Sequence, residues 1–377
     1  MKNKVFINGR IISDGKIYDN YNLIISNDRI VEFIDETGSL TGYETIDLKG
    51  NYLCSGFIDL QIMGANGALY GGNPTPEGLD IMERALVKEG VVAFLPTIST
   101  NSLLVLKKAI SIAKKYREKA LGNFFGLHLE GPFISEKSRG AHPKEFIRKP
   151  SIEDIKEILN GDHDEVKMLT IAPEQFDGET LAYLDEQKII LAMGHTSATY
   201  LETINFFTGS QAVTHLFNGM PSIHHRNPGP IPAIFEKKPY TSIVADGIHV
   251  DFSIVAFAKR NLGEFLYLIS DAATPCSTGI YQHKDGGNRF VTNNPDNETE
   301  VLSGSKLTMM KAIKNCVQYI GITLEEAINM ATLYPSRLLG IDNEYGSIKS
   351  SKLANFVVFD HNYEIQNVYF KGVSMDV

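Results

Sequence analysis

Four polar residues stand where strand-like apolar runs stop: Glu130 in FGLHLEGP, His195 in LAMGHTS, His215 in VTHLFNGM and Asp271 in FLYLISDAATP. One carboxylate and two imidazoles suit Zn²⁺ or a similar divalent ion, with bonds of about 2.0–2.2 Å and a position left for water. Such water is acidic enough to supply hydroxide near neutral pH. A second carboxylate, Asp271, can take the proton of the attacking water and return it to a leaving group. The pattern is that of a metal-dependent hydrolase. A lone histidine is more often a satisfied core or surface imidazole, but four such residues at four strand ends reverse that balance.

Residues so far apart in sequence meet only if the strand ends share one face, as they do in a closed barrel of parallel strands. Eight apolar runs can be counted: FIDLQIM, VVAFLPTIS, FFGLHLEG, KMLTIAPE, IILAMGHT, QAVTHLFNG, TSIVADGIH and FLYLISDA. Helix-period stretches such as PEGLDIMERALVKEG separate most of them, the alternation of parallel βα units. This predicts a (β/α)8 TIM-like barrel over residues 55–340, with an open doubly wound sheet as the alternative. Residues 1–54 and 341–377 carry short strands broken by turn signals. Neither piece has enough apolar surface for its own core, so the two termini are expected to form one small β-sandwich domain together. Residues 281–303 read as a hairpin inserted after the eighth strand.

Composition sets outer limits. The chain has 377 residues, 43% hydrophobic and 21% charged, as an ordinary soluble globular protein does. A formal net charge of −9 without a dense Lys/Arg cluster argues against a nucleic-acid partner. The start, MKNKVFINGRIISDG, has no apolar leader core, and no run reaches the roughly 18 apolar residues of a membrane span. A cytoplasmic protein with no membrane partner is expected. Cys54, Cys276 and Cys316 are odd in number and widely spaced, which speaks against a disulfide framework. Cys276 lies close after Asp271 and is read as a small packing residue.

Longer motifs narrow the reading. HLEGPF, KSRGAHP, MGHTSA, THLFNGMPSIHHRNPG, VADGIHVD, SDAATP, LSGS and ATLYPSRLLG follow one another in order, and together they resemble the N-acetylglucosamine-6-phosphate deacetylases of the amidohydrolase superfamily. The resemblance implies hydrolysis of the acetamide of N-acetylglucosamine 6-phosphate to glucosamine 6-phosphate and acetate. It implies Glu130, His195 and His215 as ligands of one divalent metal ion per subunit, Zn²⁺ first, with Fe²⁺, Mn²⁺ or Co²⁺ as alternatives, and Asp271 as the acid/base. It places Ala141 and His142 at the sugar, with His142 also helping to orient or polarise the acetamide carbonyl. Asn218, Gly219 and His249 become further substrate contacts, Leu302, Ser303 and Gly304 border the sugar, and Arg226 is associated with the 6-phosphate. A homodimer is implied, in which Arg226 or His249 can reach the partner's site. The guanidinium of Arg226 offers a planar fork of donors suited to phosphate.

One departure matters. Many amidohydrolases carry His-x-His on the first strand and a carboxylated lysine later, and so bind two metals. Here GFIDLQIMG puts Gln61 and Met63 at those places, and the fourth run ends in IAPE without a lysine. Thioether sulfur is a soft, weak ligand for such ions, and neutral Gln lacks the imidazole nitrogen, so one metal is expected and Gln61 is expected to bind substrate or a water. His128 and Asp59 each lie two positions from a site residue and share its strand face; both are read as bracing or packing groups. His224 and His225 are read as solvated loop residues. Other readings kept open are an N-acetylgalactosamine 6-phosphate deacetylase, another amidohydrolase acting on an acylated amine, and an inactive barrel scaffold, against which the four strand-end residues argue.

Overall fold

The computed structural model of the protein describes residues 3–159, 161, 163–209, 211–277, 280–293 and 299–375. Eight strands, numbered here as barrel strands, form one sheet in chain order: β1 (Phe57–Ile62), β2 (Val91–Ser99), β3 (Leu127–Glu130), β4 (Val166–Ile171), β5 (Ile190–Met193), β6 (Ala212–Val213), β7 (Tyr240–Ile243) and β8 (Leu266–Leu268). From β2 to β8 each neighbouring pair is parallel. The sheet closes where Ile62 pairs in parallel with Ala272; there Met63 N donates to the Ala272 carbonyl at 2.8 Å and Asp271 N to the Gln61 carbonyl at 2.9 Å. Every residue of β1 and β2 is buried, as strands covered on both faces must be. The expected (β/α)8 barrel is therefore the fold observed, one strand in each apolar run. Its helices start on short polar side chains: Ser102, Asp177, Thr199 and Asp251 each accept a hydrogen bond from a backbone N–H in the first turn.

The chain divides into two compact units, Met1–Asp59 with Arg84–Ala93 and Thr308–Val377, and Leu60–Glu83 with Phe94–Leu307. The first contains a four-stranded and a six-stranded sheet. Phe6, Leu23 and Ile25 of the smaller sheet share a buried core with Ile11, Phe356 and Tyr369 of the larger, and the Phe6 ring meets Phe356 and Tyr369 edge-on at 5.5 and 4.8 Å. In the larger sheet Tyr52–Ser55 pairs with Arg10–Ser13 on one side and Phe356–Phe359 on the other, so both termini build one β-sandwich. The borders of the units differ from those expected at 54/55 and 340/341. Helices Met309–Asn315, Leu324–Ala331 and Leu333–Leu338 group with the terminal strands, because Leu324–Ala331 lies against Arg10–Ser13 and Lys314 Nζ donates to the Asn362 carbonyl at 3.1 Å. Helical periodicity shows which face of a helix is buried but not which body buries it.

In the second unit, Lys284–Asp285, Arg289–Asn293 and Glu300–Ser305 make a three-stranded antiparallel sheet where a hairpin was expected. The NNPDNE turn falls outside the described residues beyond Asn293. The last of these strands is tied to the end of β8: Ser305 N donates to the Asp271 carbonyl at 2.9 Å and Ala273 N to the Ser305 carbonyl at 3.2 Å. The insertion is thereby held beside the barrel mouth. No described helix is long and apolar enough to cross a membrane, and none of the three cysteines is in a disulfide.

Candidate metal centre and active site

Glu130 is the last residue of β3, and the other three strand ends deliver their side chains through a sharp backbone turn. His195, His215 and Asp271 all have positive φ, at 45°, 30° and 49°, a region that costs a non-glycine residue on the order of 1–3 kcal/mol. The turns converge Glu130, His195 and His215, whose donor atoms lie within 4.8 Å of one another. Glu130 Oε1 is 2.9 Å from His215 Nε2 and 3.4 Å from His195 Nε2, and the two Nε2 atoms are 3.1 Å apart. His195 Nδ1 donates to the Ser138 carbonyl at 2.9 Å, which fixes the ring with Nε2 facing the cluster. A single proton can bridge only two of these atoms, whereas one cation satisfies both nitrogens and the carboxylate together. Although burial works against its charge, the two imidazoles beside it hold the Glu130 carboxyl well below the usual carboxylate range. The donor set therefore fits a divalent metal. Among the described residues it is the one group of three or more such side chains that could hold an ion.

The cluster forms the floor of a cavity of about 290 Å³. Asp271 lines it, with Oδ1 buried and without a hydrogen-bond partner among the described residues. Burial, and then the negative charge of Glu130, raise its pKa above the ordinary aspartate value. His142 lies beside the cluster with Nε2 3.6 Å from Glu130 Oε2 and Nδ1 2.8 Å from Thr100 Oγ1; burial pushes its pKa down to about 3, so the ring is neutral. His249 donates from Nδ1 to Asp246 Oδ2 at 2.6 Å, which leaves Nε2 for the cavity. Ala141, Asn218 and Gly219 line another part of the wall, and Leu302, Ser303 and Gly304 come from the inserted sheet.

Gly219 shows how tightly this frame is packed. Its φ is +59°, and a Cβ there would stand 2.7 Å from His195 Nδ1 and 3.1 Å from the Ser138 carbonyl, on the hydrogen bond that orients the ligand. Gly219→Ala is expected to weaken metal affinity by about 10- to 100-fold, the usual cost of losing a bond that orients a ligand, measured by competition with a chelator. Unchanged affinity would mean that His195 does not depend on Ser138.

The Amidohydrolase family pattern matches residues 52–375. The chain belongs to the amidohydrolase family. It is similar to the N-acetylglucosamine-6-phosphate deacetylase of Haemophilus influenzae, at 34% identity over 94% of this chain and 96% of that one. It is also similar to the N-acetylgalactosamine-6-phosphate deacetylase of Escherichia coli O157:H7, at 30% identity over 85% of this chain and 86% of that one. The crystal structure of N-acetylglucosamine-6-phosphate deacetylase from Pasteurella multocida superposes with a TM-score of 0.90 at 29% identity, covering 100% of both chains.

Two residues of this amidohydrolase that the sequence proposed for the site stand outside the cavity wall of their own chain. Gln61, expected to bind substrate or a water, is 1% exposed and outside the cavity wall; its Nε2 donates to Glu130 Oε1 at 2.9 Å, so it braces the carboxylate. Arg226 is exposed with Nη1 3.0 Å from His225 Nε2, and it is not part of the cavity wall of its own chain. His224 and His225 are exposed beside it. His128 is a core histidine: Nδ1 donates to the Leu60 carbonyl at 3.0 Å, Nε2 accepts from Thr170 Oγ1 at 2.7 Å, and burial lowers its pKa to about 4. Sequence reasoning missed Ser138 and Asp246, which orient His195 and His249, and Tyr281 and His283, which line the cavity from the insertion. Asp246 had a signal in the three-residue spacing of DGIH. The cavity-facing pair Tyr281 and His283 had only the two-residue spacing of YQH.

Proposed function

We propose that this chain hydrolyses the acetamide of N-acetyl-D-glucosamine 6-phosphate to D-glucosamine 6-phosphate and acetate. The observation that carries the reading is the meeting of Glu130, His195 and His215 with Asp271 in one cavity, in a chain whose relatives bear that name along nearly their whole length. Glu130, His195 and His215 would hold one divalent ion, Zn²⁺ in the first instance. Such an ion, when bound, acidifies a water to the point of attack at neutral pH and polarises a carbonyl.

The chain's own residues do the rest. Asp271 accepts the proton of the water as its oxygen bonds to the acetamide carbon, then gives that proton to the nitrogen as the C–N bond breaks. Its raised pKa suits a group that must hold a proton between two steps. His142 stands beside the cluster as a neutral imidazole that can hydrogen-bond the acetamide carbonyl. His249, oriented by Asp246, and Asn218, Gly219 and Ala141 hold the sugar, with Leu302, Ser303 and Gly304 along its border.

The 6-phosphate needs a cation, and Arg226 is the candidate. It lies outside its own cavity, in an exposed segment with Ile223, which lines one surface pocket together with the exposed Ile254. An apolar patch of this kind suits a protein interface, so a homodimer in which Arg226 serves the partner's cavity reconciles its exposure with its role.

Acetate release from the phosphorylated and unphosphorylated sugars tests the substrate, and the galactosamine epimer run in parallel tests the alternative. Arg226→Ala is expected to reduce kcat/KM for the phosphorylated substrate about 100-fold, the value of a strong charge-assisted contact, and to leave the slow unphosphorylated reaction within about twofold. Mixing Arg226→Ala chains with Asp271→Asn chains should then restore activity, since one site of each hybrid has both residues. Equal losses on both substrates would remove the phosphate assignment, and failure of mixed chains to recover would place Arg226 in its own site.

A further inference from the structure

We infer that His283, seated on Ser303, is a specificity residue that hydrogen-bonds a hydroxyl of the sugar ring away from the reacting acetamide. This rests on the substrate class proposed above. His283 comes from the segment after β8, is 4% exposed and lines the cavity. Its Nδ1 is 2.9 Å from Ser303 Oγ, while its Nε2 makes no hydrogen bond among the described residues. The imidazole has two aromatic neighbours, the nearly parallel Tyr281 ring with centroids 6.3 Å apart and the Phe290 ring, inclined edge to face, at 6.2 Å. Tyr281 is itself fixed by donating its hydroxyl to the Thr100 carbonyl at 2.7 Å. The result is an oriented polar atom in a wall that also carries Met63, Val301 and Leu302, the mix of apolar lining and a few placed polar groups by which a ligand cavity encodes orientation.

Position and charge narrow what it can read. Tyr281 links His283 to His142, whose ring is 6.3 Å from that of Tyr281 and 4.3 Å from that of the metal-ligand candidate His195. His283 is thus two ring contacts beyond the residue next to the reacting centre, facing the sugar rather than its acetamide. Burial lowers its pKa to about 4, so at neutral pH the ring is uncharged and suits a hydroxyl better than a phosphate. The Ser303 hydroxyl can donate to Nδ1, leaving Nε2–H as a donor, or accept from Nδ1–H, leaving Nε2 as an acceptor. A sugar hydroxyl can use either form, and a deoxy carbon can use neither.

The experiment is steady-state kinetics of the metal-loaded full chain, wild type, His283→Leu and His283→Gln, with N-acetylglucosamine 6-phosphate and its 3-deoxy and 4-deoxy analogues. His283→Leu should raise KM about tenfold, the scale of one buried neutral hydrogen bond, with a smaller change in kcat and unaltered metal content. One deoxy analogue should cost the wild type a similar factor and cost His283→Leu nothing further. His283→Gln should recover part of the loss and guards against a folding defect in the apolar variant. The inference is overturned if KM is unchanged in both variants, or if their losses are the same on every analogue. Absence of turnover by the wild type would instead overturn the substrate reading, and this inference with it.

Discussion

Asp271→Asn is expected to lower kcat by about 10³-fold while leaving the bound metal and the melting temperature unchanged. The magnitude is that of a positioned acid/base, which contributes about 10²- to 10⁴-fold. Asn has the size and hydrogen-bonding reach of Asp but cannot take up a proton, so only the transfer is removed. Both side chains tolerate the left-handed backbone found here, at φ 49°, and the backbone bond from Asp271 N to Gln61 O is independent of the side chain. The fold should therefore survive. Metal should be retained because the donor cluster consists of Glu130, His195 and His215 without Asp271. The residual rate should also lose the fall at low pH that protonation of Asp271 imposes on the wild type. Burial and Glu130 raise the pKa of Asp271, so this fall begins at higher pH than for an exposed aspartate. A loss below about tenfold, or loss of metal with the carboxylate, would remove Asp271 from the proton-transfer role.

The site was legible to the extent that topology forces residues together. Parallel strands in a closed barrel present all their C-terminal ends on one face, so Glu130, His195, His215 and Asp271 could be joined without knowing any distance. Gln61 shows where that logic stops. Strand alternation places it on the barrel interior with Asp59, but an interior side chain can rise into the cavity or reach across the barrel to another strand, and Gln61 reaches past β2 to Glu130 on β3. Arg226 stops it in another way. A loop side chain ends where tertiary and quaternary geometry put it, and no periodicity carries that information. His283 was hidden for a third reason, since the segment around it is rich in turn residues and its burial comes from Tyr281, Phe290 and Ser303, which only the folded chain assembles. The helices after Thr308 likewise have a clear apolar face whose partner only the fold reveals.

Removing one donor from the cluster should have an effect of the same order on metal occupancy as Asp271→Asn has on rate. Wild-type protein is expected to keep about one equivalent of metal after dialysis, and His215→Ala less than about a tenth of an equivalent, because loss of an outer hydrogen bond alone costs about 10- to 100-fold in affinity and a direct ligand costs more. Gln61→Leu should fall between the two. It deletes the 2.9 Å bond that holds Glu130 Oε1 toward the imidazoles but leaves all three donors in place. Acid should do reversibly what His215→Ala does permanently: imidazoles bind metal only when deprotonated, so affinity declines as pH falls and protons compete for Nε2. Metal analysis after dialysis at a series of pH values reads this directly, without reference to activity. Retention of two equivalents, both required for turnover, would contradict a one-metal site in which Gln61 and Met63 stand where a second ion's histidines would be. The ranking of wild type, Gln61→Leu and His215→Ala separates the two possible roles of Gln61, since a residue that only contacted substrate would leave metal occupancy at the wild-type value.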